Sequence, residues 1–204
     1  MILPFVHGFV LALGLIVVLG PQNMFVLAQG ATRSRLLGAL PAVLTASLSD
    51  TTLILAAVLG VSVAVLSLPW VKIALAAGGV LFLLYLGWTN WRAGPVSDEA
   101  LERGVGLSTR QQVLFALSVS LLNPGAILDT VGVIGTSSLA YHGTARVVFT
   151  FASITVSWLW FFFLALVGRL LGKTGATRGV LNRVSAVVMW ASALYLGYEL
   201  LFRP

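Results

Sequence analysis

Apolar runs of bilayer-spanning length, separated by short polar or charged connections, take up almost the whole chain. They predict helical spans near 3–29, 37–66, 70–91, 112–139, 147–171 and 180–202. A hydrocarbon core takes about 20 residues of helix per crossing, so little chain is left for anything outside the membrane. The one clearly polar connection, Pro95 to Arg110, holds Asp98, Glu99, Glu102, Arg103 and Arg110 and divides the chain in two. The expected fold is therefore an all-α integral membrane protein with six transmembrane helices. It is read as one domain over 1–204, with a first repeat at 1–94, a cytoplasmic loop at 95–110 and a second repeat at 111–204.

Composition sharpens this reading. Hydrophobic residues make up 59% and charged residues only 9%, against roughly 25% charged in an ordinary soluble domain. The chain has no cysteine, which removes disulfides, thiolate metal sites and iron–sulfur clusters together. A net charge of +6 would suggest nucleic acid in a soluble protein, but in a membrane protein Lys and Arg collect in loops and set orientation. Arg33, Arg35, Arg92, Arg103, Arg110, Arg169, Lys173, Arg178 and Arg183 fall on one side, against Lys72, Arg146 and Arg203 on the other. The richer side is expected to be cytoplasmic, leaving both termini outside. Met1-Ile2-Leu3-Pro4 lacks a basic n-region and leads into a run too long for a cleaved signal peptide, so it reads as the first span. Trp70, Trp88 and Trp91 lie near predicted span ends, where amphipathic aromatics meet the membrane interface.

The two blocks resemble each other. Gly20-Pro21 in the first span is matched by Asn123-Pro124 in the fourth, and Tyr85-Leu86-Gly87-Trp88 by Tyr195-Leu196-Gly197-Tyr198 at nearly the same offset. Each half holds an odd number of spans, so the second enters the membrane from the opposite side and the repeat is inverted, a common construction in secondary transporters. Proline interrupts a helix but suits the first position of a new one. Spans 1 and 4 are therefore expected to be broken, each with a half-helix starting at Pro21 or Pro124. Such a start points unpaired N–H groups and about half a unit of positive dipole charge inward, and Gln22 and Asn23 add hydrogen-bonding groups beside it. That is suited to a carboxylate.

Asp50 falls inside span two and Asp129 inside span four, with no Lys, Arg or His at comparable depth. A charge at the bilayer centre costs about 2.5–3.5 kcal/mol on insertion scales, so a partner is expected. Two readings stand: the carboxyls pair with a cationic cargo or cycle a proton, or they are protonated and bonded to neighbours such as Ser49 or Thr130. His7 and His142 sit near outer span ends without further ligands, and no metal is expected. Gly132, Gly135 and the pair Gly78-Gly79 read as close-packing positions, with Ser153 and Ser157 as candidate partners on span five. No nucleotide loop, nucleophile–base pair or cofactor motif is visible, which disfavours an enzyme or electron carrier.

Gly20-Pro21-Gln22-Asn23-Met24-Phe25-Val26, followed by Gln29-Gly30, resembles the first-span signature of the lysine exporter (LysE) family. Leu122-Asn123-Pro124 with Leu128-Asp129-Thr130 is similar to its fourth-span motif, and Ser49-Asp50 to its acidic position in span two. Trp158-Leu159-Trp160-Phe161-Phe162 and Val188-Met189-Trp190 look similar to its later spans. The resemblance implies amino acid export across the bacterial inner membrane, driven by the proton-motive force, without a cofactor. Leu19-Gly20-Pro21-Gln22-Asn23 in place of Pro-Gly-Pro sides with the branch exporting lysine and arginine; a neutral, threonine- or homoserine-like cargo is the alternative. Gly125-Ala126-Ile127 stands where bulkier residues are expected, so lysine and arginine remain alternatives. The residues implied in substrate binding or coupling are Asp50, Asp129, Asn123, Pro124, Gly20, Pro21, Gln22 and Asn23. The expected partners are an amino acid, membrane lipid and a second copy of the chain as homodimer mate, and not nucleic acid.

Overall fold

The computed structural model describes residues 1–18, 20–33, 35–60, 69–92, 107–121, 126–127, 130–172 and 175–202. Among these the chain is all helical. The helices are α1 (Ile2–Ile16), α2 (Pro21–Thr32), α3 (Leu40–Val58, entered through a 3-10 turn at Leu36–Ala39), α4 (Pro69–Arg92) and α5 (Thr109–Leu121). A π-helical turn at Thr130–Gly135 leads into the short α6 (Thr136–Ser138), followed by α7 (Gly143–Leu171) and α8 (Gly175–Phe202). Leu36–Val58 and Gly143–Leu171 are each long and apolar enough to cross a bilayer, and α1 with α2 together make a third such unit.

That third unit is broken where the sequence suggests. Gly20 takes an extended conformation as the N-cap and Pro21 stands at the start of α2, so α1 and α2 meet at 79°. Proline fits there because the first helical N–H has no partner in any case. From Pro21 to Ala31 every residue of α2 is buried. A helix enclosed on all sides needs protein around its whole circumference, and α2 finds it in α7 and α8, with α3 and α5 also against it.

Small residues let α2 and α7 approach closely. A side chain on Gly30 would collide with the Ala165 backbone, one on Gly168 with Leu27, and one on Gly172 with Ala31. The same device joins α1 to α7, where Gly8 lies on the Phe149 backbone and the Ser153 hydroxyl donates to the Gly8 carbonyl at 3.3 Å. Gly135 packs on Ala57 of α3, so its partner is span two and not span five. A first side-chain carbon on Gly78 would meet no described atom within contact distance, and Gly79 lies outside the residues whose side chains are described.

The remaining pairings follow a pattern. α1 and α2 pack on α7, α3 packs on α5 and the π turn, and α4 packs on α8. In that last pair Gly87 receives Trp190, whose indole donates to the Leu84 carbonyl at 3.3 Å, and Trp91 lies 5.5 Å from the Trp190 ring. The outward surface carries large apolar side chains, among them Val10, Leu81, Phe151, Leu159, Phe163 and Leu194, which suits lipid and not water. Trp88 and Trp91 are exposed near the end of α4, with the Arg92 guanidinium 4.5 Å from the Trp88 ring. Trp70 lies outside the residues whose side chains are described.

Candidate functional site

The break between α1 and α2 leaves backbone carbonyls of α1 and N–H groups of α2 without helical partners. Asn23 meets the first need: its side-chain nitrogen donates to the Ile16 carbonyl at 2.7 Å and the Val18 carbonyl at 2.9 Å. The Gly20 N–H also donates to Val18, at 2.8 Å. No side chain caps the start of α2, so its first N–H groups stay directed at the space beside Gly20.

Gln22 reaches the other way. Its amide nitrogen donates to Asp50 Oδ1 on α3 at 2.9 Å, and the Ser157 hydroxyl on α7 lies beside the same carboxyl as a second neutral partner. Both described partners of Asp50 are therefore neutral. One residue further along each helix, the Trp158 indole N–H donates to Thr51 Oγ1 at 3.1 Å, and Thr51 donates to the Ser47 carbonyl at 2.7 Å. These contacts hold α3 and α7 in register around the carboxyl. Asp50 keeps some accessible surface, whereas Gln22 and Asn23 are buried.

Of the residues singled out from the sequence, Gly20, Pro21, Gln22, Asn23 and Asp50 are thus brought together. Asn123, Pro124 and Asp129 lie outside the described residues. Ser49, offered as a neighbour for Asp50, is buried with a hydroxyl that has no described partner, and Ser157 takes that place instead. From the sequence Ser157 reads as a packing partner for glycines and Trp158 as part of a family-like stretch; nothing in the sequence ties them to a carboxyl a hundred residues away. His7 shares a 2.9 Å hydrogen bond with the Tyr141 hydroxyl and lies against Phe149, an aromatic contact joining α1 to α7. Arg33, at the end of α2, donates to the Leu107 carbonyl. Burial lowers its guanidinium from the usual value, yet arginine stays charged at any physiological pH.

Discontinuous helices whose half-helix N-termini face an anionic group of the cargo recur in secondary transporters. The family model for the LysE type translocator matches residues 13–200. The chain belongs to that family. It is accordingly a membrane translocator and not an enzyme. Over 198 residues it is 49% identical to "Putative amino-acid transporter YisU" of Bacillus subtilis (strain 168), covering 96% of this chain and 89% of that one. It is also 34% identical over 210 residues to the "Arginine exporter protein ArgO" of Serratia proteamaculans (strain 568), covering 98% of each. A third relative, ArgO of Pectobacterium carotovorum subsp. carotovorum (strain PC1), is 34% identical over 197 residues, covering 94% and 95%. No solved structure matches the chain.

Proposed function

We propose that this LysE type translocator exports basic amino acids, L-arginine first and L-lysine second, from the cytoplasm across the bacterial inner membrane at the expense of the proton-motive force. The observation that carries the reading is the Asp50 carboxyl, enclosed between α2, α3 and α7 with only neutral described partners. A buried carboxylate without a protein cation is a fitting counter-charge for a guanidinium or ammonium side chain, or a carrier for the coupled proton. The uncapped start of α2 suits the α-carboxylate common to all amino acids. The relatives named as arginine exporters support the choice of arginine.

The reading includes two inverted three-helix repeats within one domain, a second break at Asn123-Pro124, and Asp129 as a second coupling carboxyl. The packing of span one on span five and of span four on span two supports it, because each contact becomes the other when the halves are exchanged. Alternating access then rocks one repeat against the other around the two breaks. Cells lacking other exporters and fed an arginine- or lysine-containing dipeptide test the proposal. Expression of this chain should relieve the intracellular accumulation of both. Efflux of threonine without efflux of either basic amino acid would reject it. The neutral cargo has one observation in its favour, since the Gln22 amide already meets part of Asp50's hydrogen-bonding need.

A further inference from the structure

Two contacts fix how α2 and α5 lie against each other. Phe25 stacks on Phe115 with ring centroids 4.1 Å apart. About two turns further along α2, Arg33 donates to the carbonyl of Leu107, about two turns back along α5. The segments therefore run antiparallel, and midway between the contacts Gln29 comes level with the first turn of α5, where Gln112 lies. Both side chains are buried, Gln29 at 7% and Gln112 at 2% exposed. In both, Oε1 lacks a hydrogen-bond partner among the described residues. Gln112 has its orientation set, because its amide nitrogen donates to the Leu107 carbonyl at 3.2 Å, which turns the oxygen away. Arg33 brings the opposite character: its Nη2 is engaged by Leu107, while its buried Nε–H has no described partner.

An unmet buried polar atom costs about 1–3 kcal/mol, so folded proteins hold few of them. Here two acceptors and one donor with that status are gathered within roughly two helical turns. Acceptors suit an ammonium and a guanidinium N–H suits a carboxylate. Those two groups sit on one carbon in every α-amino acid.

We propose that Gln29, Gln112 and Arg33 form a second subsite that receives the zwitterionic head of an α-amino acid, its ammonium on the two glutamine oxygens and its carboxylate on Arg33. The inference rests on the amino acid cargo proposed above but not on the cargo's side chain. Gln29 follows Gln22 by about two turns of α2, roughly 10 Å, so the subsite is separated from the Asp50 carboxyl by the Phe25–Phe115 stack. Cargo arriving from the Arg33 side, cytoplasmic in the proposed orientation, meets this subsite first.

Initial rates of labelled L-arginine uptake into everted membrane vesicles read KM and Vmax from that side. Gln29→Leu and Gln112→Leu should each raise KM about tenfold with Vmax little changed, the size expected for one lost hydrogen bond to a charged group. Gln29→Glu, which keeps the acceptors and the size, should hold KM at or below the wild-type value. Agmatine, which is arginine without its carboxylate, should compete about tenfold more weakly than arginine, and Arg33→Gln should remove that difference. An unchanged KM in both Leu variants overturns the subsite, as does an equal rise in Gln29→Glu and Gln29→Leu. Should a Leu variant fail to reach the membrane, Gln29→Glu and the agmatine comparison decide. Wild-type vesicles that move threonine but not arginine reject the basic cargo alone, and the same variants are then read with threonine; vesicles that move neither reject both.

Discussion

At the scale of single residues, neighbours in sequence divide the work. Gln22 and Asn23 read alike, as polar groups beside a break, yet the first binds the Asp50 carboxyl and the second binds the Ile16 carbonyl at the end of α1 and the Val18 carbonyl just beyond it. The 79° bend decides which side chain faces which helix, and no local pattern encodes that angle. Their substitutions should therefore differ in kind. Asp50→Asn should insert normally and lose at least about 90% of arginine efflux, since removing a charge matched to cargo or proton costs more than 1.4 kcal/mol; undiminished efflux would remove Asp50 from the mechanism. Asn23→Ala should act on stability, lowering the free energy of unfolding by about 1 kcal/mol as the Ile16 carbonyl loses its donor while the Val18 carbonyl keeps the Gly20 N–H. A lower melting temperature in detergent, with the KM of the remaining folded protein unchanged, is the expected result.

At the scale of helices, hydropathy carried the all-helical outline: three described units are long and apolar enough to cross a bilayer, and Gly20-Pro21 marks the break in one of them. What stayed hidden was which helix lies on which, because a glycine announces room without naming the neighbour that uses it. Gly132 and Gly135 drew notice as packing positions, and Gly135 does pack, but on α3; the tighter seam is formed by Gly30, Gly168 and Gly172. Neither Gly30 nor Gly168 has any feature in its own stretch of sequence that points to the other. Gly168→Leu should displace α2 from α7 and cost about 3 kcal/mol or more through backbone collision, read as lost yield of monodisperse protein. Gly78→Ala, whose added carbon would meet no described atom within contact distance, should leave the packing intact and change stability by no more than the roughly 1 kcal/mol of helix propensity. Equal effects of the two substitutions would contradict the packing described.

At the scale of the molecule, basic residues concentrate at the helix ends and connections around Arg33, Arg35, Arg92 and Arg169, so tags at both termini should be cleaved by protease added to intact spheroplasts. Protection of either tag would reverse the orientation or change the number of crossings. The partnership of α2 with α7 has a consequence for how the chain is made. α2 is buried on every side, and its chief neighbour is the fifth apolar segment to be synthesised. At roughly 5–20 residues per second, on the order of ten seconds pass between the emergence of the two from the ribosome. Throughout that interval Gln22, Asn23 and Gln29 have no α7 to shield them, and lipid offers them no hydrogen bonds. The surroundings of α2 can therefore be completed only once α7 is made, late in the synthesis of the chain.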